Sequence, residues 1–408
     1  MDLHDSPEEA AFRAEARAWL EAHARPKTGP DSAISLFSER AEDESGWVRA
    51  SQGWQRTKYD AGWAGITWPK EHGGRAGSAI QSIIFGQEEG RFDVPTGLFT
   101  IGHGMIGPTI MACGSAAQKQ RYLSPMLRGD EIWCQLFSEP GAGSDVASLG
   151  TRAVRDGDEW VISGQKVWTS GAHYSDFGEI ITRTDPDAPK HRGITAFVVP
   201  MKDPAVTTKP LRQMTGGANF NEVFFDELRV PDANRLGDVN AGWGVAITTL
   251  MNERVAIGGG GGGGASAAAL FDLARHTGAA ADPVVRQDLV DVFIQGRVNK
   301  YNGYRIQTAI SRGAIPGPEG SVAKLLLTRM LTKMGDVAVG MLGPNAIAAT
   351  PDSREAGWAS LLVGSPGMSI AGGTEQIMKN IIAERVLGLP GDVRVDKDVA
   401  WKDIPRSA

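Results

Sequence analysis

Several things are scarce in this sequence. Only two of its 408 residues are cysteines, Cys113 and Cys134, too few for a disulfide framework, so a reducing, cytoplasmic setting is expected. No apolar run approaches the roughly 18 residues of a spanning helix, and no signal-peptide pattern opens the chain. Charge of one sign is not in excess either. The 42 Lys and Arg and 48 Asp and Glu are spread along the length and leave a formal net charge of −6, which gives no basic face for a phosphate backbone and argues against nucleic acid as a partner. The histidines show no pair at helical ligand spacing and the two cysteines lie far apart, so no metal site is expected. The glycines form neither a P-loop nor a Gly-x-Gly-x-x-Gly that opens a strand–helix unit. A nucleotide cofactor, if held, needs another fold.

What is present falls into thirds. Ser6, Pro7 and Glu9 read as a capping box with proline at the first helical position, and Phe12, Ala16, Trp19 and Leu20 then share one face until Pro26 ends the segment. Residues 1–130 read as mostly helical, with almost no period-two alternation. From about Glu131, short β-branched and aromatic runs bounded by turn residues appear: Trp160 to Ile162, Ile180 to Thr182, Ile194 to Val199 and Val223 to Phe225. They predict an antiparallel barrel or sandwich over 131–235. Residues 236–408 return to helical spacing over Trp243–Arg254, Val284–Ser311, Ser321–Gly340 and Glu375–Val386, a helical bundle. The fold class is thus α+β, multidomain. Seven consecutive glycines, Gly258 to Gly264, read either as a flexible linker or as part of one long helix with a bare face. The periodicity on both sides favours the helix.

Two segments carry candidate chemistry. Gln135 to Asp145 contains Leu136, Phe137, Ser138, Gly143 and Ser144, a loop whose glycines and hydroxyls leave backbone N–H groups open to an anionic or heteroaromatic ligand. Further on, Trp168, Thr169 and Ser170 set an indole beside two hydroxyls at a strand end. Alone, the first reads equally as a tight loop between domains, and Trp168 reads more readily as a half-buried packing residue than as a cofactor platform.

Together the two segments resemble the acyl-CoA dehydrogenase family, and the resemblance extends over essentially the whole chain. Arg229-Val230-Pro231, Asn252-Glu253-Arg254, Ala371 to Ile377 and Arg385 to Pro390 agree with it. It implies an FAD flavoprotein in which Leu136 to Ser144 and Trp168 to Ser170 hold the flavin ring, Thr374 and Gln376 bind the cofactor, and Arg275 and Thr277 reach the pyrophosphate across a subunit interface. The chain departs from the family pattern at the adenine end: no aromatic follows Thr277, and Pro344 stands where a glycine is usual. Ser170 replaces a common threonine and keeps the hydroxyl.

Desaturating an acyl thioester requires a base for the α proton, donors on the thioester oxygen and a hydride acceptor. In the resemblance the oxygen donor maps to the N–H of Gly372. Many members place the base at that same position, where Gly372 cannot serve. A second branch carries it on the helix after the β domain, directly before an arginine, which implies Glu253 as base and Arg254 as an orienting or substrate-binding neighbour. Ser144 is expected to touch substrate. A glycine-bare helix face would widen the acyl pocket for a long, branched or polycyclic chain, as in bacterial lipid, steroid or xenobiotic catabolism. The resemblance further implies a homodimer or homotetramer, with a heteromer as the variant, and an electron-transferring flavoprotein as acceptor. An oxidase on this scaffold and a non-catalytic subunit are the alternatives.

Overall fold

A computed structural model describes residues 5–27, 44–258, 267–311, 317–350 and 353–405, with the side chains of 254–258, 310–311 and 354 left undescribed. Helix α1 (Pro7–His23) begins on the expected capping box, Ser6 accepting from the Glu9 amide and Glu9 from that of Ser6. Its face of Phe12, Ala16 and Leu20 is buried. The chain turns through the short strand β1 (Arg25–Pro26), and α2 (Glu44–Asp60) and α3 (Ala79–Glu89) complete a cluster with Trp54, Trp63, Ile84 and Phe85. Strand β2 (Phe92–Asp93) pairs with β1. A π turn at Gly102–Ile106 leads into α4 (Gly107–Cys113) and α5 (Ala116–Arg128).

One contact sets a pH dependence. Glu88, 3 % exposed, accepts from Arg17, Arg13 and Arg91 at 2.8–3.1 Å. Arg17 and then Arg13 outweigh burial and bring its carboxyl down to about 2. A carboxylate with a depressed folded-state value stabilises fully above its unfolded value, and the contribution is lost as pH falls through the folded one. Glu88→Gln should therefore cost about 3 kcal/mol at pH 7 and almost nothing near pH 2. Urea titrations of both proteins at several pH values check this; a pH-independent difference would contradict it.

The middle domain is a single eight-stranded sheet. Its strands are β3 (Trp133–Leu136), β4 (Arg152–Asp156), β5 (Glu159–Ser170), β6 (Phe177–Arg183), β7 (Ile194–Pro200), β8 (Val206–Leu211), β9 (Phe220–Pro231) and β10 (Arg235–Leu236). The order runs β10-β7-β6-β4-β5-β9-β8, with β3 also on β6. The sheet stays open, sandwich-like rather than a closed barrel, because its edge strands β10 and β8, among the described residues, do not pair with each other. Nor is it wholly antiparallel. β3 runs parallel to β6 along Phe177–Ile180, and Arg152 of β4 meets Arg183 in parallel. The long passage through β4 and β5 returns the chain to β6 in the direction of β3, which a tight hairpin could not do. One face of the sheet packs Cys134, Ile162, Phe197 and Val223 together. The other carries Ile181, Ala196 and Val198 onto Leu123, Met126 and the next helix.

That helix is α6 (Gly242–Gly258), whose Val245, Ala246 and Thr249 are buried. Residues 259–266, most of the glycine run, lie outside the described residues. Helices α7 (Ala267–Thr277), α8 (Pro283–Ser311), α9 (Gly320–Leu342) and α10 (Arg354–Met368) form a bundle around Leu270, Leu273, Met334 and the fully buried Trp358. A Cβ on Gly335 of α9 would stand 2.9 Å from the Leu362 Cα, so the glycine permits the close crossing with α10. The last helix, α11 (Glu375–Ile381), runs into a second π turn at Ile382–Val386.

Candidate functional site

The loop after β3 is built by a buried cation. Lys166 on β5 is fully buried; its Nζ donates to the Phe137 carbonyl at 3.0 Å and to Glu139 Oε1 at 2.8 Å. Glu139 also accepts from the amides of Gly150 and Thr151 at 2.7 and 2.9 Å. Burial pushes the Glu139 carboxyl up, but Lys166 and these donors outweigh it and hold it below the ordinary value. Burial lowers the Lys166 ammonium, with Glu139 opposing. Glu139 and Ala142 exchange backbone hydrogen bonds at 3.0 Å around Pro140-Gly141. The loop is thus a fixed shape, and neither Lys166 nor Glu139 stood out in the sequence.

The Val167 amide donates to the Ser138 carbonyl at 2.9 Å, which lays the end of β5 alongside the loop. The structure therefore brings Leu136, Phe137 and Ser138 next to Trp168, Thr169 and Ser170. Between Lys166 and Thr169 the register with β9 shifts. There Trp168 takes φ +60°, a left-handed conformation that costs a non-glycine residue about 1–3 kcal/mol. Its indole is 60 % exposed, resting edge-on against Phe220. Thr169, 1 % exposed, buries an Oγ1 with no hydrogen-bond partner. Gly141 and Gly143 would each admit a Cβ with nothing within 4 Å, so the protein's own packing does not require their bareness. Gly143 and Ser144 are exposed. A presented indole, an orphaned hydroxyl and uncovered backbone fit a planar heteroaromatic ligand such as a flavin.

A second group assembles on the helical side. Thr374 caps α11, its hydroxyl accepting from the Ile377 amide at 3.2 Å, and the preceding Gly372 and Gly373 take φ +64° and +94°, a left-handed pair open to glycine. Lys324 of α9, 2 % exposed, donates to the Gly373 carbonyl at 2.7 Å. Burial lowers its ammonium, while the charges of Glu375 and Glu253 oppose the shift. Lys324 thus bonds the Gly372-Gly373 turn and feels the charge of Glu253 on α6, far apart in sequence; sequence reasoning missed this lysine. A lysine at an apolar helical position was the available signal. Gln376 lines a surface groove with Arg329, Thr332, Lys333 and Glu375.

The remaining candidates lie elsewhere. Arg275 is ion-paired with Asp272 within α7 and largely exposed, and Thr277 Oγ1 donates to the Leu273 carbonyl at 3.1 Å. Both sit on the bundle rather than on the loop after β3. The backbone of Arg254 continues α6; its side chain is not described. Another feature absent from the sequence reading is the C-terminal segment, where Trp401 Nε1 donates to the Ser148 carbonyl at 3.1 Å and Asp396 pairs with Lys190 at 2.6 Å beside Asp145. No group of metal-ligating side chains occurs among the described residues, and no described helix is long and apolar enough to cross a membrane.

Comparison with known proteins agrees along the chain. Residues 6–130, 134–228 and 240–387 match the N-terminal, middle and C-terminal domains of acyl-CoA dehydrogenase, respectively. Acyl-CoA dehydrogenase IpdE1 of Mycobacterium tuberculosis is 35% identical over 398 residues, 94% of this chain and 98% of the relative. Acyl-CoA dehydrogenase FadE34 of the same organism is 39% identical over 332 residues, 81% of this chain and 45% of its own length. Among solved structures, the Tcur3481-Tcur3483 steroid ACAD superposes with a TM-score of 0.80 at 29% identity, covering 96% of this chain and 100% of that one. The ChsE4-ChsE5 complex from Mycobacterium tuberculosis gives 0.77 at 28%, with coverage of 96% and 100%.

Proposed function

Because this chain belongs to the acyl-CoA dehydrogenase family, we propose that it introduces an α,β double bond into an acyl-CoA thioester, with FAD as its flavin and Glu253 as the base. The observation that supports the reading is Lys324, which bonds the Gly373 carbonyl and feels the charge of Glu253, so that one buried cation links the turn that bears the oxygen donor to the field of the base. Leu136 to Ser138, Gly143, Ser144, Trp168 to Ser170, Thr374 and Gln376 would hold the cofactor, and Arg275 and Thr277 would contact it from a neighbouring subunit. When bound, FAD supplies the acceptor for the β hydride. Glu253 removes the α proton; the Gly372 N–H donates to the thioester oxygen and stabilises the charge that develops there. Ser144 and Arg254 are assigned to the substrate.

The exposed apolar stripe of Val290, Phe293, Ile294, Val298 and Tyr301 along α8 supports assembly, either as a homodimer or homotetramer or with a second chain. The two structural neighbours, each named for two chains and one of them a steroid ACAD, support a heteromeric, steroid-directed variant. The acceptor in this reading is an electron-transferring flavoprotein, and the acyl group is bulky.

The test is a visible spectrum of the protein purified alone, followed by anaerobic addition of straight, branched and ring-bearing acyl-CoAs. Bound FAD that bleaches fastest with ring-bearing or branched thioesters is expected. Preference for butyryl-CoA would reject the bulky substrate. Peroxide formed at the rate of turnover under air would make the chain an oxidase, and a colourless protein would make it one part of a heteromer or a non-catalytic subunit.

A further inference from the structure

A buried acid behind α6 has no part in the chemistry above. Glu179 of β6 is fully buried on the sheet face that carries Phe177 and Ile181. Thr249 Oγ1 lies 2.8 and 3.1 Å from its two oxygens. Thr249 is also 2.9 Å from Thr109 Oγ1 of α4, which donates at 2.9 Å to the Met105 carbonyl in the π turn. These contacts join a strand of the middle domain, the first helix of the C-terminal domain and a helix of the N-terminal domain. Thr249 precedes Glu253 by about one helical turn on the same side of α6.

Counting protons decides the state of the acid. The Thr109 proton goes to the Met105 carbonyl, which can only accept. The single Thr249 proton can then serve Thr109 or Glu179, not both. With Glu179 protonated the three short contacts, from Glu179 to Thr249 to Thr109 to Met105, each hold one proton, and only the longer 3.3 Å approach of Thr249 Oγ1 to the Val245 carbonyl goes without. With Glu179 ionised, one pair of oxygens faces each other without a proton and a carboxylate lies in an apolar cluster.

We propose that Glu179 is a positioning residue for the reaction, a neutral acid whose proton completes a hydrogen-bond chain that fixes the turn of α6 carrying Glu253. The inference rests on Glu253 as base. Burial supports it by raising the Glu179 carboxyl to about 8, with Thr249 opposing. The groups around it supply no competing charge. From α4 the titratable neighbour is Cys113, whose thiol is pushed up by burial and further by Glu179. From the π turn it is His103, which burial holds down at about 4 and which bonds the Met126 carbonyl on the α5 side. β3 and β7 present Gln135 and Val198 at the paired positions.

Glu179→Gln keeps a neutral donor of the same shape, whereas Glu179→Leu removes it. In flavin-loaded protein, kcat of the wild type is expected to fall above pH 8 by about tenfold per pH unit, and the Gln variant to match wild type at pH 7 and lose that limb. The Leu variant, with flavin content as the check on folding, should lose kcat about tenfold or more at every pH, with KM little changed. Thermal midpoints give a readout independent of turnover. A carboxyl raised on folding stabilises below its unfolded value and that stability is lost as pH rises through the folded one, so the wild type should lose stability from about pH 4.5 to 8 relative to the Gln variant. An identical alkaline limb in the Gln variant, or equal loss of kcat at pH 7 in both variants, would overturn the proposal. If Glu253→Gln retained turnover, the base assignment would fail, whereas the midpoint difference would still report on the chain of protons.

Discussion

Glu253→Gln is expected to lower kcat by about a thousandfold, in the range that removal of a general base produces, while the bound flavin keeps its spectrum. Glutamine retains the shape and a hydrogen-bonding head, so the change isolates proton transfer from packing. The expectation follows from Gly372, which the family resemblance assigns to the other base position and which offers no side chain to accept a proton. It follows also from Lys324, which feels the charges of both Glu253 and Glu375. Glu375 is the rival acid. Its oxygens approach the hydroxyls of Thr328 and Ser369, each at 3.4 Å, and Arg329 at 3.6 Å, at the start of α11. These partners hold it to a structural place. Single-turnover flavin reduction with an acyl-CoA measures the step directly. Retention of rate within tenfold in Glu253→Gln, with loss in Glu375→Gln, would move the base to α11.

Lys166→Met is expected to destabilise the protein by about 3–5 kcal/mol, the cost of breaking a buried pair from one side, and to strip the flavin. Lys166 is fully buried and bonded to both Phe137 and Glu139, so its removal leaves the Glu139 carboxylate in the interior with only backbone donors. The same change frees the Phe137 carbonyl and with it the loop before Gly141. A second substitution separates charge from anchoring. Adding Glu139→Gln removes the unpaired charge and should recover about half of the lost stability without restoring flavin affinity. Denaturant midpoints and flavin titration, run on the single and double variants, read the two effects. Full flavin retention in Lys166→Met would show that the loop keeps its shape without the anchor.

How far the sequence could be read depended on how local the deciding physics was. The capping box at Ser6, the buried face of α1 and the spans of α6, α8 and α9 all follow from period and cap chemistry within single segments. The strand runs at Ile180 and Ile194 were equally plain. Helix α10 was not foreseen, because the features that define it, Trp358 in the bundle and the approach of Leu362 to Gly335, are contacts with α9. The open edge of the sheet and the parallel pairing of β3 with β6 likewise depend on where distant strands come to rest. For the site, the loop at Phe137 to Ser144 and the triplet at Trp168 were legible as residue types suited to a heteroaromatic ligand. That they lie together was implied by the family resemblance and could not be read from the residues themselves, since the join is a backbone hydrogen bond from Val167 to Ser138.

By itself, then, the sequence determined the helix, sheet, helix order and the family, since each rests on periodicity or contiguous motifs. Tertiary structure alone decided the roles of Lys166, Glu139, Lys324 and Glu179. Apart from the apolar helical position of Lys324, nothing near these residues in the chain distinguishes a solvated charge from an anchored one. Only burial, which removes water and leaves a charge or proton dependent on the few groups within hydrogen-bond reach, turns a lysine or glutamate into a fixed part of the site.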